Sequence, residues 1–141
     1  MRFWDASSIV PLLVEQPRTP SARSRLEEDP EVVMWWGTLV ECASALARGR
    51  REGILTASEE ATALRLLATL REQWYEVLPT EAVRAQALRV LRMHPLRSAD
   101  ALQLGAALEW SGTPVTKVFV TFDQRLAASA ELEGFQVAGA E

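Results

Sequence analysis

The sequence predicts an α/β fold in which a central, mostly parallel sheet of four to five strands is flanked by helices on both faces. Short apolar segments alternate with longer segments that have helical spacing and helix-capping residues. Parallel strands need crossover connections of roughly a dozen residues or more, so strands separated by helices favour parallel pairing. The 141 residues contain neither an internal repeat nor a linker-like tract, which predicts one domain over residues 1–141.

The first half of the chain reads as two strand–helix–helix units. Residues 2–5 are the first strand candidate, and a helix follows. Because proline is tolerated only in the first turn of a helix, Pro11 predicts an N-cap near Ser7 or Ser8. A polar stretch then leads into a short helix that ends near Glu28. The second unit has a strand candidate over 31–36, a helix over 37–51, and a helix that begins at a Thr56–Glu59 capping box and ends near Gln73.

The second half continues the alternation. Apolar residues over 74–79 and 117–122 predict two more strands, and "FQV" near the end predicts an edge strand. The helices between them have recognisable caps: Thr80 before a helix to about Met93, Ser98 before a helix to Ser111, and Asp123 before a helix to about Glu133. The predicted order is therefore β-α-α-β-α-α-β-α-α-β-α-β.

Composition and charge exclude several classes of protein. The chain is 48% hydrophobic and 24% charged, which excludes disordered and collagen-like chains. Apolar runs stay below the ~18 residues of a membrane span, and Asp5 interrupts the first apolar stretch, so we expect a cytoplasmic protein without a signal peptide. The single cysteine, Cys42, excludes an internal disulfide. The net charge is −4, so nucleic acid would have to be bound through a local patch or through cations.

Four acidic residues stand among apolar or small residues: Asp5, Glu41, Asp100 and Asp123. Three of them have an ordinary structural explanation. Asp5 and Asp123 suit helix caps, and Asp100 lies near a helix start, where an acid interacts favourably with the helix dipole. Glu41 is harder to explain, because its neighbours predict burial on nearly all sides and an unpaired buried carboxylate is costly.

The predicted fold brings these acids to one edge of the sheet. Ligands of open parallel sheets bind beyond the carboxyl ends of the strands, where Asp5 and Asp123 follow strands and where the helices of Glu41 and Asp100 begin. Two carboxylates about 4 Å apart repel by roughly 4 kcal/mol at an effective dielectric of 20, so such a cluster needs protons or cations. In the absence of a histidine or cysteine cluster, oxygen ligands favour Mg²⁺ or Mn²⁺, which suit phosphoryl chemistry.

Four segments together resemble the PIN-domain ribonucleases, and among them the VapC-like toxins of VapBC-type toxin–antitoxin systems. The segments are "WDASSIV", "LVECASAL", "LRSADALQLGAAL" and "VFVTFDQRL", and the resemblance covers essentially the whole chain as a single PIN-like domain. It implies a metal-dependent endoribonuclease that hydrolyses RNA phosphodiester bonds. It also implies that Mg²⁺ or Mn²⁺ is bound by the catalytic residues Asp5, Glu41, Asp100 and Asp123.

The resemblance has further implications for the site and its partners. Ser7 and Thr121 match positions that commonly carry a hydroxyl in the family, where they could orient a carboxylate; a plain helix cap and a plain strand threonine explain them equally well. Family members also tend to form homodimers and are silenced by a small cognate antitoxin protein that docks over the active site.

Two alternative functions and two residue clusters stay open. The alternatives are a PIN-domain RNA processing or quality-control nuclease, and a non-catalytic PIN-fold binding module. The bare single domain favours the toxin over the first, and retention of four mutually repelling acids argues against the second. The Trp35-Trp36 pair suits core packing, a base-stacking face or an apolar patch for a partner. Arg48, Arg50 and Arg51 suit either solvated charge or contacts with RNA phosphates.

Overall fold

A computed structural model describes residues 1–139, and its elements follow the predicted order. The strands are short and the helices carry most of the chain. The elements are β1 (Arg2–Trp4), α1 (Ala6–Leu13), α2 (Thr19–Glu28), β2 (Val32–Trp35), α3 (Thr38–Arg51), α4 (Ala57–Arg71), β3 (Tyr75–Val77), α5 (Glu81–Met93), α6 (Ser98–Ser111), β4 (Val118–Val120), α7 (Gln124–Leu132) and β5 (Gln136–Ala138).

The five strands form one parallel sheet in the order β3-β2-β1-β4-β5. The chain adds strands on one side of β1 and then crosses to its other side, so the direction of winding reverses between β1 and β4. In doubly wound sheets, ligands bind in the crevice beyond the carboxyl ends of the strands at this reversal. Asp5 follows β1 and Thr121 follows β4, so both residues lie at that crevice.

Each face of the sheet packs on its own hydrophobic core. Because successive side chains of a strand point to opposite faces, Phe3 lies in one core and Trp4 in the other. Residues of α5, α6 and α7 cover the Phe3 face, and residues of α1 to α4 cover the Trp4 face. The predicted α/β architecture, with helices on both faces of a parallel sheet of up to five strands, is confirmed.

Two predicted helix caps are wrong. Helix α1 begins at Ala6, and its N-cap is Asp5, whose carboxylate accepts from the Ser8 N–H; Pro11 lies inside the helix. The hydroxyls of Ser7 and Ser8 also bind the Asp5 carboxylate, and these bonds anchor the first turn although Pro11 cannot donate to the turn before it. Helix α6 likewise begins at Ser98, and its N-cap is Arg97.

The expectation that Glu41 is buried on nearly all sides is also wrong. Val40 is 68% exposed and Glu41 is half-buried, whereas Cys42 and Leu46 are buried. Helix α3 therefore has one inner face, which Thr38, Cys42 and Leu46 define at the four-residue spacing of a helix. Among the apolar neighbours at other positions, Val40 lies on the outer face and Leu39 packs against the margin of the core.

Within the described residues, no helix is long and apolar enough to cross a membrane.

Candidate metal-binding active site

The four acids that the sequence singled out lie at the carboxyl edge of the sheet, and we call them the acidic edge: Asp5, Glu41, Asp100 and Asp123. Asp5 follows β1 and caps α1, and Asp123 caps α7 just beyond β4. Glu41 and Asp100 lie in the first turns of α3 and α6. Two of the four therefore cap helices, as their ordinary explanation required, and they also flank the crevice at which the winding reverses.

Asp5 is held by a network of hydroxyl groups. Its side chain is almost fully buried, and the Ser7 Oγ lies 2.8 and 2.9 Å from its two carboxylate oxygens. Ser7 Oγ also lies 3.1 Å from Thr121 Oγ1, which in turn accepts from the Asp123 N–H at 3.1 Å. A chain of hydrogen bonds thus connects Asp5, which follows β1, with the loop that follows β4.

Burial disfavours the ionised form of Asp5. It raises the pKa of Asp5 to about 7, although hydrogen bonds from Ser7, Thr121 and Ser8 act in the opposite direction. A carboxylate in this position is stabilised by any cation that reaches it. The structure thus places Ser7 and Thr121 beside Asp5, where they favour its anionic form.

The remaining acids influence one another through space. Burial raises the pKa of Glu41, and the charge of Asp100 raises it further. Burial also raises the pKa of Asp100, with an additional contribution from Asp123, while Arg97 and Arg125 partly offset the rise. The buried thiol of Cys42 has its pKa raised to about 12, chiefly by burial and then by the charges of Glu41 and Asp5. Negative charge therefore accumulates around the acidic edge.

Two polar residues at this site, Gln103 and Thr38, were not predicted from the sequence. Gln103 is buried on α6, and its Nε2 donates to Glu41 Oε2 at 2.7 Å and to Thr38 Oγ1 at 2.9 Å. Thr38, the first residue of α3, is also fully buried. A signal was present, because Gln103 interrupts the apolar segment "ADALQLGAAL" in the way that the four acids interrupt theirs.

The donor atoms of the acidic edge fit a hard divalent cation. All four side chains offer carboxylate oxygen, the ligand type of Mg²⁺ and Mn²⁺. Burial raises the pKa values of Asp5, Glu41 and Asp100, and a bound cation would lower them by stabilising the carboxylate forms. Among residues 1–139, no three His, Cys, Asp or Glu side chains stand close enough to hold one ion together. The carboxylates are thus spread along the edge, as their mutual repulsion favours.

A groove of about 850 Å³ extends from the acidic edge along the Trp4 face. Ser7 and Glu41 line it near the acids. Farther along, Leu46 of α3, Ala63 of α4 and Ile54 in the turn between these helices contribute apolar surface. Its lining also includes charged residues, namely Glu15, Arg48, Glu52 and Glu59. The groove is thus partly apolar, has charges of both signs, and reaches the acidic edge at Glu41.

Trp35 and Trp36 lie in different environments. Trp35 is buried in the core of the Phe3 face, as core packing requires. Trp36 is 49% exposed, and its backbone N–H donates to Val77 O, so it extends the carboxyl edge of the sheet beyond β2. The base-stacking and partner-binding interpretations thus stay open for Trp36 alone.

The three arginines of the basic cluster lie in the last turn of α3, where positive charge complements the helix dipole. Arg50 Nε lies 3.6 Å from Glu60 Oε1 at the surface. Arg48 lines the groove. Solvated charge therefore explains Arg50, whereas Arg48 is also positioned to meet whatever occupies the groove.

Comparisons with known proteins agree on one family. The PIN domain model matches residues 2–132. Ribonuclease VapC45 and Ribonuclease VapC49, from two strains of Mycobacterium tuberculosis, are each 32% identical over 142 aligned positions, which cover 99% of this chain and 95% of theirs.

Among solved structures, the M. tuberculosis toxin VapC20, described as cleaving the sarcin-ricin loop, superposes with a TM-score of 0.69 at 20% identity, over 96% of this chain and 97% of that one. A toxin–antitoxin complex from Klebsiella pneumoniae gives a TM-score of 0.65 at 13% identity, with 91% of both chains covered. The chain therefore belongs to the PIN-domain family and, within it, to the VapC-like ribonucleases.

Proposed function

We propose that this protein is the toxin of a toxin–antitoxin pair, an endoribonuclease that depends on Mg²⁺ or Mn²⁺ and hydrolyses RNA phosphodiester bonds. The observation that carries the proposal is the acidic edge, where four carboxylates lie along the carboxyl edge of one parallel sheet. The similarity to the VapC ribonucleases supports the activity. The similarity to a chain of the K. pneumoniae toxin–antitoxin complex supports a protein partner, although that likeness by itself concerns the fold.

In this proposal the acidic edge holds the cation, with Asp5 as the most strongly positioned ligand. A bound Mg²⁺ or Mn²⁺ would supply Lewis-acid stabilisation of the phosphate and a water activated at neutral pH. Ser7 and Thr121 fix the orientation of the Asp5 carboxylate and favour its ionised form. Arg97 and Arg125, close enough to lower the pKa of Asp100, place positive charge where an RNA phosphate would approach.

The groove along α1, α3 and α4 is the surface we assign to the antitoxin. Its lining includes Glu41 and Ser7, whose hydroxyl binds Asp5, so a segment bound there would also cover this end of the acidic edge. A helix with an apolar face would suit its mixed lining of apolar and charged residues. The expected homodimer is supported by the family resemblance, and the molar mass in solution tests it against the 15.6 kDa of one chain.

RNA cleavage by the purified protein tests the proposed activity. The parent should cleave RNA with Mg²⁺ or Mn²⁺ and lose activity with a chelator, and Asp5→Asn should abolish cleavage while the protein stays folded. Glu109→Gln, which changes an exposed acid of α6 away from the acidic edge, is the matched control and should cleave like the parent. Unchanged cleavage by Asp5→Asn would refute the role of the four acids.

Growth on expression distinguishes a toxin from a processing nuclease. Expressed alone, the parent should arrest growth, and co-expression of one small partner protein should restore it. Asp5→Asn should be tolerated without the partner. Normal growth of cells that contain active parent enzyme would favour the processing nuclease.

A further inference from the structure

Gln103 connects the two helices that carry Glu41 and Asp100. Its side chain is 1% exposed, and its amide nitrogen donates to a carboxylate oxygen of Glu41 and to the hydroxyl oxygen of Thr38. Gln103 lies three residues after Asp100 on α6, so both side chains lie on the same face of that helix. Thr38 lies three residues before Glu41 on α3, which gives the same relation on the other helix.

The orientation of the Gln103 amide leaves one buried polar atom without a hydrogen bond. Gln103 Oε1 is buried and has no hydrogen-bond partner among residues 1–139, whereas Nε2 has two. An unsatisfied buried acceptor destabilises the fold, so an apolar side chain would suit this part of the core better. Features that cost stability without benefit to packing are typical of functional sites.

We propose that Gln103 is a positioning residue that fixes the Glu41 carboxylate for the divalent cation, an inference that rests on the proposed function. Its amide nitrogen donates to Glu41 Oε2, which leaves Glu41 Oε1 as the oxygen that binds the cation. Thr38 provides the second anchor, which prevents the amide from rotating. Because Gln103 shares a helix face with Asp100, the same contact sets the spacing between Glu41 and Asp100.

Mn²⁺ affinity, measured by titration calorimetry on the intact protein, tests the inference. Gln103→Met keeps the length of the side chain and removes the amide, and we expect the Mn²⁺ dissociation constant to rise about ten- to a hundredfold. The thermal unfolding midpoint without metal should change little, because the variant removes one unsatisfied oxygen and leaves another, on Thr38. Thr19→Val is the matched control: it removes a fully buried hydroxyl that donates to Pro11 O, away from the acids, and should leave Mn²⁺ affinity unchanged.

A double-mutant cycle with Glu41→Gln separates positioning from a general effect on the fold. If Gln103 acts through Glu41, Gln103→Met should weaken Mn²⁺ binding in the parent but have no further effect once Glu41 is Gln. An equal loss in both backgrounds, or unchanged affinity of a folded Gln103→Met protein, would overturn the inference.

A second variant covers the case in which Gln103→Met does not fold. Thr38→Val leaves the contact between Gln103 and Glu41 but removes the other anchor of the amide, so Mn²⁺ binding should weaken by a smaller factor. Unchanged Mn²⁺ affinity of Thr38→Val would then overturn the inference. A parent protein that neither binds Mn²⁺ nor cleaves RNA would instead refute the proposed function, so the two failures are distinguishable.

Discussion

At the scale of single residues, Asp5 shows how one side chain satisfies a structural and a chemical requirement. It accepts from the Ser8 N–H as the cap of α1, and its burial raises its pKa to about 7. The cap favours the anionic form of the carboxylate and burial opposes it. The structure therefore contains a carboxylate that is held in place but only partly ionised at neutral pH.

This leads to a prediction about stability and pH. The folded protein holds a proton on Asp5 that the unfolded chain releases near its ordinary pKa, so metal-free stability should fall as pH rises from about 4 to about 7. The rise at Asp5 corresponds to on the order of 4 kcal/mol, and the raised pKa values of Glu41 and Asp100 act in the same direction. Thermal unfolding in a chelating buffer across this range measures the effect.

Asp5→Asn is the informative variant for that experiment. It should unfold at a higher temperature than the parent near pH 8, where the parent carries the buried charge, and the difference should shrink toward pH 4. Excess Mg²⁺ should stabilise the parent more than the variant. A parent that gains stability steadily from pH 4 to pH 8 without metal would contradict the prediction.

Trp36 supports a prediction about RNA binding. An exposed indole at the carboxyl edge beyond β2 offers a face on which an unpaired base can stack, an interaction worth about 1–3 kcal/mol. We expect Trp36→Ala to weaken binding of single-stranded RNA to that extent and Trp36→Phe to retain most of the affinity. Leu78→Ala, at an exposed apolar residue beyond β3, is the control. Equal RNA affinity of the parent and Trp36→Ala would favour a partner contact instead.

At the scale of elements, the close packing of α5 on α6 positions Asp100. Gly105 lies in the middle of α6, and a Cβ atom there would lie 2.8 Å from Ala87 N and 3.1 Å from Val83 O. The backbones of the two helices therefore meet directly at this point. A side chain at Gly105 would push α6 away from α5, together with the Asp100 and Gln103 that it carries.

We expect Gly105→Ala to lower the free energy of unfolding by about 1–3 kcal/mol, because the obstacle is backbone that cannot rotate away. Gly49→Ala is the matched control within α3, since its new methyl group would meet only the side chain of Leu55, at 3.2 Å. There the gain in helix propensity, about 0.5–1 kcal/mol, offsets the contact. Urea unfolding measures both changes, and equal stability of the two variants would contradict the account of α5 and α6.

At the scale of the whole molecule, the strand order forms a crevice at the carboxyl ends of β1 and β4. The groove lined by α1, α3 and α4 begins beside this crevice. A partner that occupies the groove would be in contact with Glu41 and Ser7, so binding and inhibition would be coupled by geometry. Because the net charge is −4, RNA phosphate would have to be attracted by local positive charge, such as that of Arg97 and Arg125, or by a bound cation.

Ile54 offers a way to separate the partner surface from the active site. It is 72% exposed in the turn between α3 and α4, and it lines the far part of the groove. We expect Ile54→Asp to weaken antitoxin binding, measured by calorimetry, while metal-dependent RNA cleavage stays at the parent rate. Loss of cleavage in a folded Ile54→Asp protein would show that this part of the groove also serves the substrate.

Much of this fold follows from local signals in the sequence. The Thr56–Glu59 capping box is present in α4, Thr80 and Asp123 cap α5 and α7, and the strands lie where short apolar segments predicted them. These signals succeed because a cap or an alternating strand depends on residues only a few positions apart. The predicted start of α1 was wrong because hydrogen bonds from Ser7 and Ser8 to Asp5 outweighed the positional preference of Pro11.

By itself, therefore, the sequence determined the order of the elements and the edge of the sheet along which the four acids lie. Only the tertiary structure decided which groups touch: Ser7 with Thr121, and Gln103 with Glu41. These pairs are separated by 114 and 62 residues, so no local pattern specifies them. They arise because parallel strands with helical crossovers bring distant segments to one edge, where packing sets the final distances.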